Sequence, residues 1–283
     1  QSIAGGLQES EVDVVLHDLA SGPPPHAAGF DLVGIGYPVQ YFRMPPPARA
    51  AISALGDLAG AEAFAFILHS TYPGAGIEGA RRALRRAHAR AAGVFSCYGE
   101  GLFLGYTRLG YMFSPGHPDA GDLWAAHEFG GGLPVALADE RSSVRHRSRT
   151  HWVYALERAA LAPWLMRHVY SRLFHVDRSL CTRCGKCARV CPTGNITWER
   201  GALPEWGRDC VACVTCVGVC PESAIRCPLD WPVFRPFLRY NVARAARDPS
   251  IEHVRVELKR GKVVRIDAAR YAHEGGGCDE RTD

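Results

Sequence analysis

The cysteine spacing of this chain constrains its fold more than any other feature. Eight of its eleven cysteines form two copies of one run, in which two gaps of two residues precede a gap of three and a terminal proline. The first copy contains Cys181, Cys184, Cys187 and Cys191-Pro192, and the second contains Cys210, Cys213, Cys216 and Cys220-Pro221. Eight cysteines in this pattern are typical of a region that folds around two [4Fe–4S] clusters.

Each cluster needs four converging sulfurs, and one short loop supplies three of them. The fourth cysteine of a run does not easily reach the same cluster, and in two-cluster ferredoxins it ligates the other one. We therefore expect the first cluster to be held by Cys181, Cys184, Cys187 and Cys220. The second is expected to be held by Cys210, Cys213, Cys216 and Cys191. This crossing would tie the two runs together.

Two other uses of cysteine fit the pattern less well. A zinc ribbon would use two pairs spaced by two residues and leave the third and fourth cysteines of each run unexplained. A disulfide scaffold is typical of a small secreted chain, and this chain has 283 residues and no visible secretion signal. Iron–sulfur ligation explains all eight cysteines at once.

The two runs lie 29 positions apart, and the similarity continues beyond them, because Ile196 and Ile225 occupy matching positions. This pattern indicates an internal repeat with a pseudo-two-fold relation. Residues 195–206, between the runs, are predicted to form a short hairpin that turns near Gly201.

Length and composition set the broad class of the protein. The chain is long enough for two domains, and its hydrophobic content of 47% supports a packed core. A net charge of +4 with scattered basic residues gives no indication of nucleic-acid binding. No apolar run reaches the length of a transmembrane helix. Thiolate ligands favour a reducing compartment, and we expect a cytoplasmic location. Because the chain begins at Gln1 within a helix-like pattern, we also expect an N-terminally incomplete sequence.

The N-terminal half alternates strand-like and helix-like segments. Predicted strands cover 12–16, 31–37, 64–68 and 94–97, and predicted helices cover 47–55 and 77–92. Such alternation favours a parallel sheet covered on both faces, whose ligands bind at the carboxyl ends of the strands.

The loops at these strand ends are rich in glycine, proline and aromatic residues. The second predicted strand runs into Tyr37-Pro38-Val39, and the third runs into His69-Ser70-Thr71 with Gly74 close behind. Loops of this composition suit the approach of a planar ligand, although plain turn chemistry explains the same residues.

These loops resemble those of flavodoxin, which flank the flavin ring of FMN. A flavodoxin-like region joined to two complete cysteine runs is similar to the ferrodoxin family of flavodoxin–ferredoxin fusions, over roughly residues 1–230. The resemblance implies a doubly wound α/β flavodoxin-like sheet, followed by an α+β bacterial-type dicluster ferredoxin domain. It also implies FMN contacts at Tyr37, Pro38, Val39, His69, Ser70, Thr71 and Gly74.

The sequence departs from the flavodoxin pattern at its beginning. The first strand and the phosphate-binding loop that follows it are absent from this chain, and that strand is central in the flavodoxin order. We therefore expect a gap in the sheet, and FMN binding by the full-length protein rather than by the chain as given.

The domain boundaries follow from these motifs. We expect a flavodoxin-like domain at 1–138, a linker and helix at 139–173, a two-cluster domain at 174–228, and a C-terminal extension with a β-hairpin at 229–283. The hairpin is predicted from the alternating strands 254–258 and 262–266 around Arg260-Gly261.

These features predict electron transfer through two [4Fe–4S] clusters, coupled to FMN in the full-length protein, with redox proteins as partners. No residue is predicted to be catalytic for this role. One alternative is a flavin- and cluster-dependent reductase of a small molecule, with His69, Tyr72 or Glu100 as acid/base groups. Another is an electron-wiring subunit whose N-terminal region docks without a flavin.

Overall fold

A three-stranded parallel sheet organises the N-terminal half of the computed structural model. The structure describes residues 1–19, 21–59, 61–90, 92–101, 103–138, 152–259 and 262–266. The strands are β1 (Leu32–Pro38), β2 (Glu62–His69) and β3 (Ala92–Tyr98), and they are hydrogen-bonded in that order. Both neighbouring pairs are parallel, so the three carboxyl ends meet at one edge. The parallel sheet predicted from the alternating pattern is present.

Helices cover both faces of this sheet. On one face α2 (Pro46–Ala54) and α3 (Gly76–Arg86) bury Met44, Ile52 and Leu84 against the strands. On the other face α1 (Ser2–Glu9) and α5 (Ala120–Ala138) pack together over Phe64. The helix α4 (Leu104–Thr107) and the strand β4 (Tyr111–Phe113) lie between β3 and α5 in the sequence.

The contact between α1 and α5 requires glycine. A Cβ atom on Gly6 would lie 2.0 Å from the carbonyl oxygen of His127, and one on Gly130 would lie 2.2 Å from the carbonyl oxygen of Ile3. Neither backbone can move away without opening the helix pair, so both positions exclude every larger residue.

Two of the predicted segments differ in the structure. Residues 12–16 form no strand, because a strand needs a neighbour to satisfy its backbone groups, and within the described residues β1 pairs with β2 alone. The three observed strands are contiguous and show no gap between them. The helix predicted over 77–92 ends at Arg86, where Ala87 caps it with bonds to Ala83 and Leu84.

The connecting region between the halves is helical but broken. It contains α6 (Trp152–Ala160), α7 (Pro163–His168) and a 3-10 turn (Tyr170–Leu173). Pro163 starts α7 because proline fits the first turn of a helix and interrupts a continuous one. Residues 139–151 of the predicted linker lie outside the described residues.

The cysteine-rich region is built from short elements. They are β5 (His175–Val176), α8 (Lys186–Arg189), β6 (Ile196–Thr197), β7 (Glu205–Trp206), α9 (Thr215–Gly218) and β8 (Ile225–Arg226). The strand β5 pairs with β8, and β6 pairs with β7 as the hairpin predicted over 195–206.

The C-terminal segment returns to the N-terminal half. After two 3-10 turns (Pro228–Asp230 and Pro232–Phe234) come α10 (Arg235–Ala245), β9 (His253–Lys259) and β10 (Lys262–Arg265). The predicted hairpin is formed by β9 and β10, and its turn at Arg260-Gly261 lies outside the described residues. The strand β9 also pairs with β4, so Phe113 and Ile251 share one core.

Candidate metal centre and adjoining cavity

The two cysteine runs adopt matching backbones. We call residues 181–197 the first repeat and residues 210–226 the second repeat. When the first repeat is shifted by 29 positions, its helix α8 aligns with α9 of the second repeat, and its strand β6 aligns with β8. Left-handed backbone conformations recur at the same offset, at Arg183 and Ala212, Gly185 and Val214, and Gly194 and Ser223. The internal repeat seen in the sequence is therefore also a repeat of conformation.

Backbone amides point at cysteine sulfurs in the same symmetric way. The N–H groups of Arg183 and Asn195 donate to the Sγ atoms of Cys181 (3.4 Å) and Cys191 (3.3 Å). Their counterparts in the second repeat, Ala212 and Ala224, donate to Cys210 and Cys220, each at 3.3 Å. Such donors stabilise negative charge on sulfur, which is the form in which cysteine binds a metal.

Four cysteines enclose one small cavity. Its lining includes Cys181, Cys184 and Cys187 of the first repeat together with Cys220 of the second. Cys184 is exposed, and the backbone N–H of Lys186 lowers the pKa of its thiol. This corner of the molecule therefore presents sulfur donors close to the surface.

Of the remaining four cysteines, Cys191, Cys210 and Cys213 are partly buried. Cys216 is buried, and burial raises the pKa of its thiol to about 12. Burial also raises the pKa of Cys210 to about 11, and the charges of Cys213 and Cys191 act in the same direction. Cys191 of the first repeat thus lies close enough to the second repeat to act electrostatically on Cys210.

The donor sets fit iron–sulfur clusters. Buried thiols with such high pKa values keep their protons at neutral pH unless a metal replaces them, and sulfur is the donor that clusters require. The four-cysteine cavity is lined by cysteines from both repeats. The symmetric amide donors supply the hydrogen bonds to sulfur that tune clusters of this kind.

Cys227 is a further cysteine beside the second repeat. It is 4% exposed, and its charge acts on Cys210 and Tyr41. In the sequence it lies just outside the second run, with no paired spacing of its own, which is typical of a bystander to the second cluster.

A large cavity of about 1110 Å³, which we call the sheet cavity, opens at the carboxyl edge of the sheet. The predicted loop residues Tyr37, Pro38, Val39, His69, Ser70 and Thr71 all line it. Gly74 is not among the lining residues, since it packs against Phe42 instead. The structure thus brings six of the seven predicted residues to one space.

The sheet cavity extends to the second repeat. Cys213, Val214 and Gly218 form part of its wall, so one end of the cavity touches a predicted cluster loop. The volume and the aromatic wall suit a planar ring. No Lys or Arg occurs among the lining residues, so any phosphate bound there would depend on neutral donors.

Two side chains of the loop after β1 join the sheet to the second repeat. Gln40 Nε2 donates to the carbonyl oxygen of Val211 at 3.0 Å. The hydroxyl of Tyr41 donates to the carbonyl oxygen of Ala212. Tyr41 and Phe42 both have positive φ, at 50° and 57°. Sequence reasoning missed this connection, because nothing local in a tyrosine predicts a partner 171 positions away.

Together the matched repeats and the cavity lined by cysteines of both repeats define a two-cluster iron–sulfur region of the ferredoxin class. Comparison with known proteins agrees. Residues 174–258 match the family described as the 4Fe-4S dicluster domain. No solved structure is significantly similar to the chain.

Three relatives illustrate the match. The ferredoxin-like protein in the vnf region of Azotobacter chroococcum is 38% identical over 60 residues, which cover 19% of this chain and 92% of that protein. An uncharacterised ferredoxin of Methanocaldococcus jannaschii is 41% identical over 54 residues, or 18% and 70% of the two chains. The electron transport protein HydN of Escherichia coli is 26% identical over 113 residues, or 39% of this chain.

Through this region the chain belongs to the [4Fe–4S] dicluster ferredoxin family, and one of its relatives, HydN, is an electron transport protein. It spans 57% of the length of HydN. Within the described residues, no helix combines the length and the apolar character needed to cross a membrane.

Proposed function

We propose that this protein carries electrons through two [4Fe–4S] clusters with crossed ligand sets. Cys181, Cys184, Cys187 and Cys220 hold the first cluster, and Cys210, Cys213, Cys216 and Cys191 hold the second. The cavity lined by three cysteines of one repeat and one of the other carries this proposal. When bound, each cluster supplies a site that takes up and releases one electron.

The protein's own residues define the two ends of the electron-transfer path. The exposed Cys184 marks the end that a redox partner reaches, whereas Cys213 faces the sheet cavity. Two arginines stabilise the loop of the first repeat through hydrogen bonds. Arg183 donates to the carbonyl oxygen of Gly201 (3.1 Å), and Arg189 donates to that of Cys184 (3.0 Å). Their positive charge favours the reduced state of the nearby cluster. Electrons accordingly pass between the surface and the sheet cavity.

Paired variants test the crossing. Under anaerobic purification the protein should contain about eight irons per chain. If the ligand sets cross, Cys220→Ala and Cys187→Ala damage the same cluster and leave the same electron paramagnetic resonance signal after reduction. In that case Cys191→Ala and Cys216→Ala also leave the same electron paramagnetic resonance signal as each other. If Cys220→Ala instead matches Cys216→Ala, each repeat holds its own cluster and the assignment fails.

We further propose that the sheet cavity takes the flavin ring of FMN in the full-length protein. The support is the convergence of the loops at 37–39 and 69–71 on one cavity that also touches the second repeat. The bound flavin would supply exchange between two-electron and one-electron partners. Tyr37 keeps the loop in place, because its hydroxyl donates to the carbonyl oxygen of Gly76 at 2.9 Å.

Flavin binding can be measured directly on the cluster-loaded, full-length protein. FMN fluorescence should be quenched at a stoichiometry of one per chain. Val39→Trp, which fills the sheet cavity, should abolish this quenching, whereas Val15→Trp at a position that is 65% exposed should not. A cluster-loaded protein that binds no FMN would instead support the wiring-subunit role.

A small-molecule reductase is the second candidate function. His69, Tyr72 and Glu100, the predicted acid/base groups, all line the sheet cavity. Burial raises the pKa of Tyr72 to about 12, so its phenol is protonated at neutral pH. Reoxidation of the reduced protein by small organic acceptors should then slow in His69→Ala and Glu100→Gln. Unchanged rates would favour a pure carrier.

The cellular setting follows from the ligands. Iron–sulfur thiolates persist where thiols stay reduced, so we propose a cytoplasmic location with redox proteins as donor and acceptor.

A further inference from the structure

A second cavity, which we call the arginine cavity, lies between α4, α10 and the second repeat. Its volume is about 510 Å³. Apolar side chains that include Leu104, Leu161 and Phe234 form its walls, and all three are buried. Its polar lining is dominated by four arginines, Arg108, Arg226, Arg235 and Arg239.

The charge of this cavity is strongly one-sided. Among its lining residues Glu157 is the one carboxyl group. Glu157 is 7% exposed and accepts a hydrogen bond from Asn241 Nδ2 at 2.7 Å. Arg235 and Arg239 lie four positions apart on α10, so their side chains emerge on one face of the helix. The lining thus carries four guanidinium groups and one carboxyl group.

We propose that the arginine cavity binds a small organic anion with an apolar or aromatic body. The buried apolar walls would take the body, and the arginines would pair with a carboxylate, sulfonate or phosphate group at the entrance. The volume falls within the range of small-molecule sites. The arginine cavity adjoins the proposed flavin site and shares part of its wall, but none of the four arginines lines the sheet cavity.

The arginine cavity lies next to the sheet cavity and to the second repeat. Tyr41, Phe103, Leu104, Glu157 and Val214 line both this cavity and the sheet cavity. Cys227 lines the arginine cavity as well, so a bound anion lies beside the second repeat.

A matched pair of fluorescent probes tests the charge requirement. 8-Anilinonaphthalene-1-sulfonate and N-phenyl-1-naphthylamine share one aromatic body, but only the first is an anion. With the cluster-loaded protein saturated with FMN, the anion should bind one site per chain. The Arg235→Gln/Arg239→Gln double variant should weaken the anion about tenfold or more, because two charge-assisted contacts are lost, and leave the neutral probe nearly unchanged.

Two control variants locate the site. Arg81→Gln/Arg82→Gln removes two arginines from α3, which does not line the cavity, and should leave both affinities unchanged. Leu161→Trp should fill the cavity and weaken both probes. Iron content and the visible spectrum verify that each variant keeps its clusters. The proposal is overturned if the double variant binds each probe as tightly as the unaltered protein does. It is also overturned if the double variant weakens the binding of both probes by the same factor.

The natural anion can be a free metabolite or a lipid headgroup. Displacement of the sulfonate probe by octanoate supports a soluble ligand. Co-sedimentation with phosphatidylglycerol vesicles, lost in the arginine double variant, supports a lipid. If neither octanoate nor these vesicles engage the site, the proposed ligand class is wrong.

Discussion

At the scale of single residues, Tyr41 is the most informative position. Its hydroxyl donates to the carbonyl oxygen of Ala212, a residue that is 1% exposed and whose own N–H donates to Cys210. Left-handed backbone is unfavourable for a residue with a Cβ atom, and Tyr41 and Phe42 adopt it in succession. Bonds to the second repeat hold this loop in its unfavourable conformation.

We expect Tyr41→Phe to lower the free energy of unfolding by about 1 kcal/mol, because the buried Ala212 carbonyl loses its partner. The same change should shift the reduction potential of the second cluster and leave the first unchanged. Denaturant unfolding and a redox titration under anaerobic conditions measure the two effects. Tyr111→Phe, at a half-buried ring that stacks on Phe113 away from the second repeat, serves as the control. Equal effects of both changes would contradict the role of Tyr41.

At the scale of elements, the two ligand loops show why glycine is needed at some positions and not at others. The left-handed residue before α8 is Gly185, and its counterpart before α9 is Val214. A Cβ atom on Gly185 would lie 2.6 Å from the ring of Trp198. Backbone conformation alone therefore does not demand glycine here, whereas the approach of Trp198 does.

A pair of alanine variants separates these two causes. Gly194→Ala carries only the cost of left-handed backbone, about 1 kcal/mol, since beyond its chain neighbours no atom lies within 4 Å of the point where its Cβ would stand. Gly185→Ala adds the clash with Trp198 and should cost clearly more, with partial loss of the first cluster. Denaturant unfolding and iron analysis compare the two. Equal costs would show that the Trp198 contact is unimportant.

The N-terminus of α5 carries a pH-dependent contact. His117 Nδ1 is hydrogen-bonded to Asp122, which raises the pKa of the imidazole. Asp119 and Asp122 also accept each other's backbone N–H, which caps the helix. Although His117, Asp119 and Asp122 lie close together, these bonds account for their grouping as a helix cap.

Asp122→Asn should lower the pKa of His117 while keeping an oxygen for the cap. Because the pKa is raised in the folded state, the charged pair stabilises the protein fully below the ordinary histidine pKa. This stabilisation is lost as the pH rises through the raised value. The stability difference between the protein and the variant should therefore shrink with rising pH. Histidine NMR titration checks the pKa, and an unchanged value would contradict the pairing.

At the scale of the whole molecule, the C-terminal hairpin connects the cysteine-rich region to the N-terminal half by strand pairing. The strand β9 follows the cysteine-rich region but pairs with β4 of the N-terminal half. Val256 on β9 is 2% exposed, and α10 packs against α4. The predicted extension at 229–283 thus contributes to the core around Phe113 rather than forming an appendage.

We expect Val256→Ala to destabilise the protein by about 2 kcal/mol through lost packing. Amide exchange should accelerate in β4, which is distant in sequence, because the strands share hydrogen bonds. Val264→Ala on the neighbouring β10, at a side chain that is 40% exposed, should change stability by less than about 0.5 kcal/mol. Unaltered exchange in β4 would show that β9 is not its stabilising partner.

The sequence by itself determined what depends on near neighbours. The cysteine runs, the hairpin over 195–206, the strands β1 to β3 and the loops at 37–39 and 69–71 were all readable, because spacing and alternation are local properties. It also predicted the ferredoxin-type region, which the family match confirms, whereas electron transfer is a proposal. The flavodoxin resemblance, the domain boundaries and the ligand sets remain predictions.

Only the tertiary structure decided which distant residues meet. It left 12–16 without a strand, bonded Tyr41 to Ala212, paired β9 with β4 and gathered four arginines around one apolar cavity. The physical reason is that burial and long-range hydrogen bonding depend on partners far away along the chain. An isolated tyrosine, valine or arginine carries no local mark of the partner that it will meet.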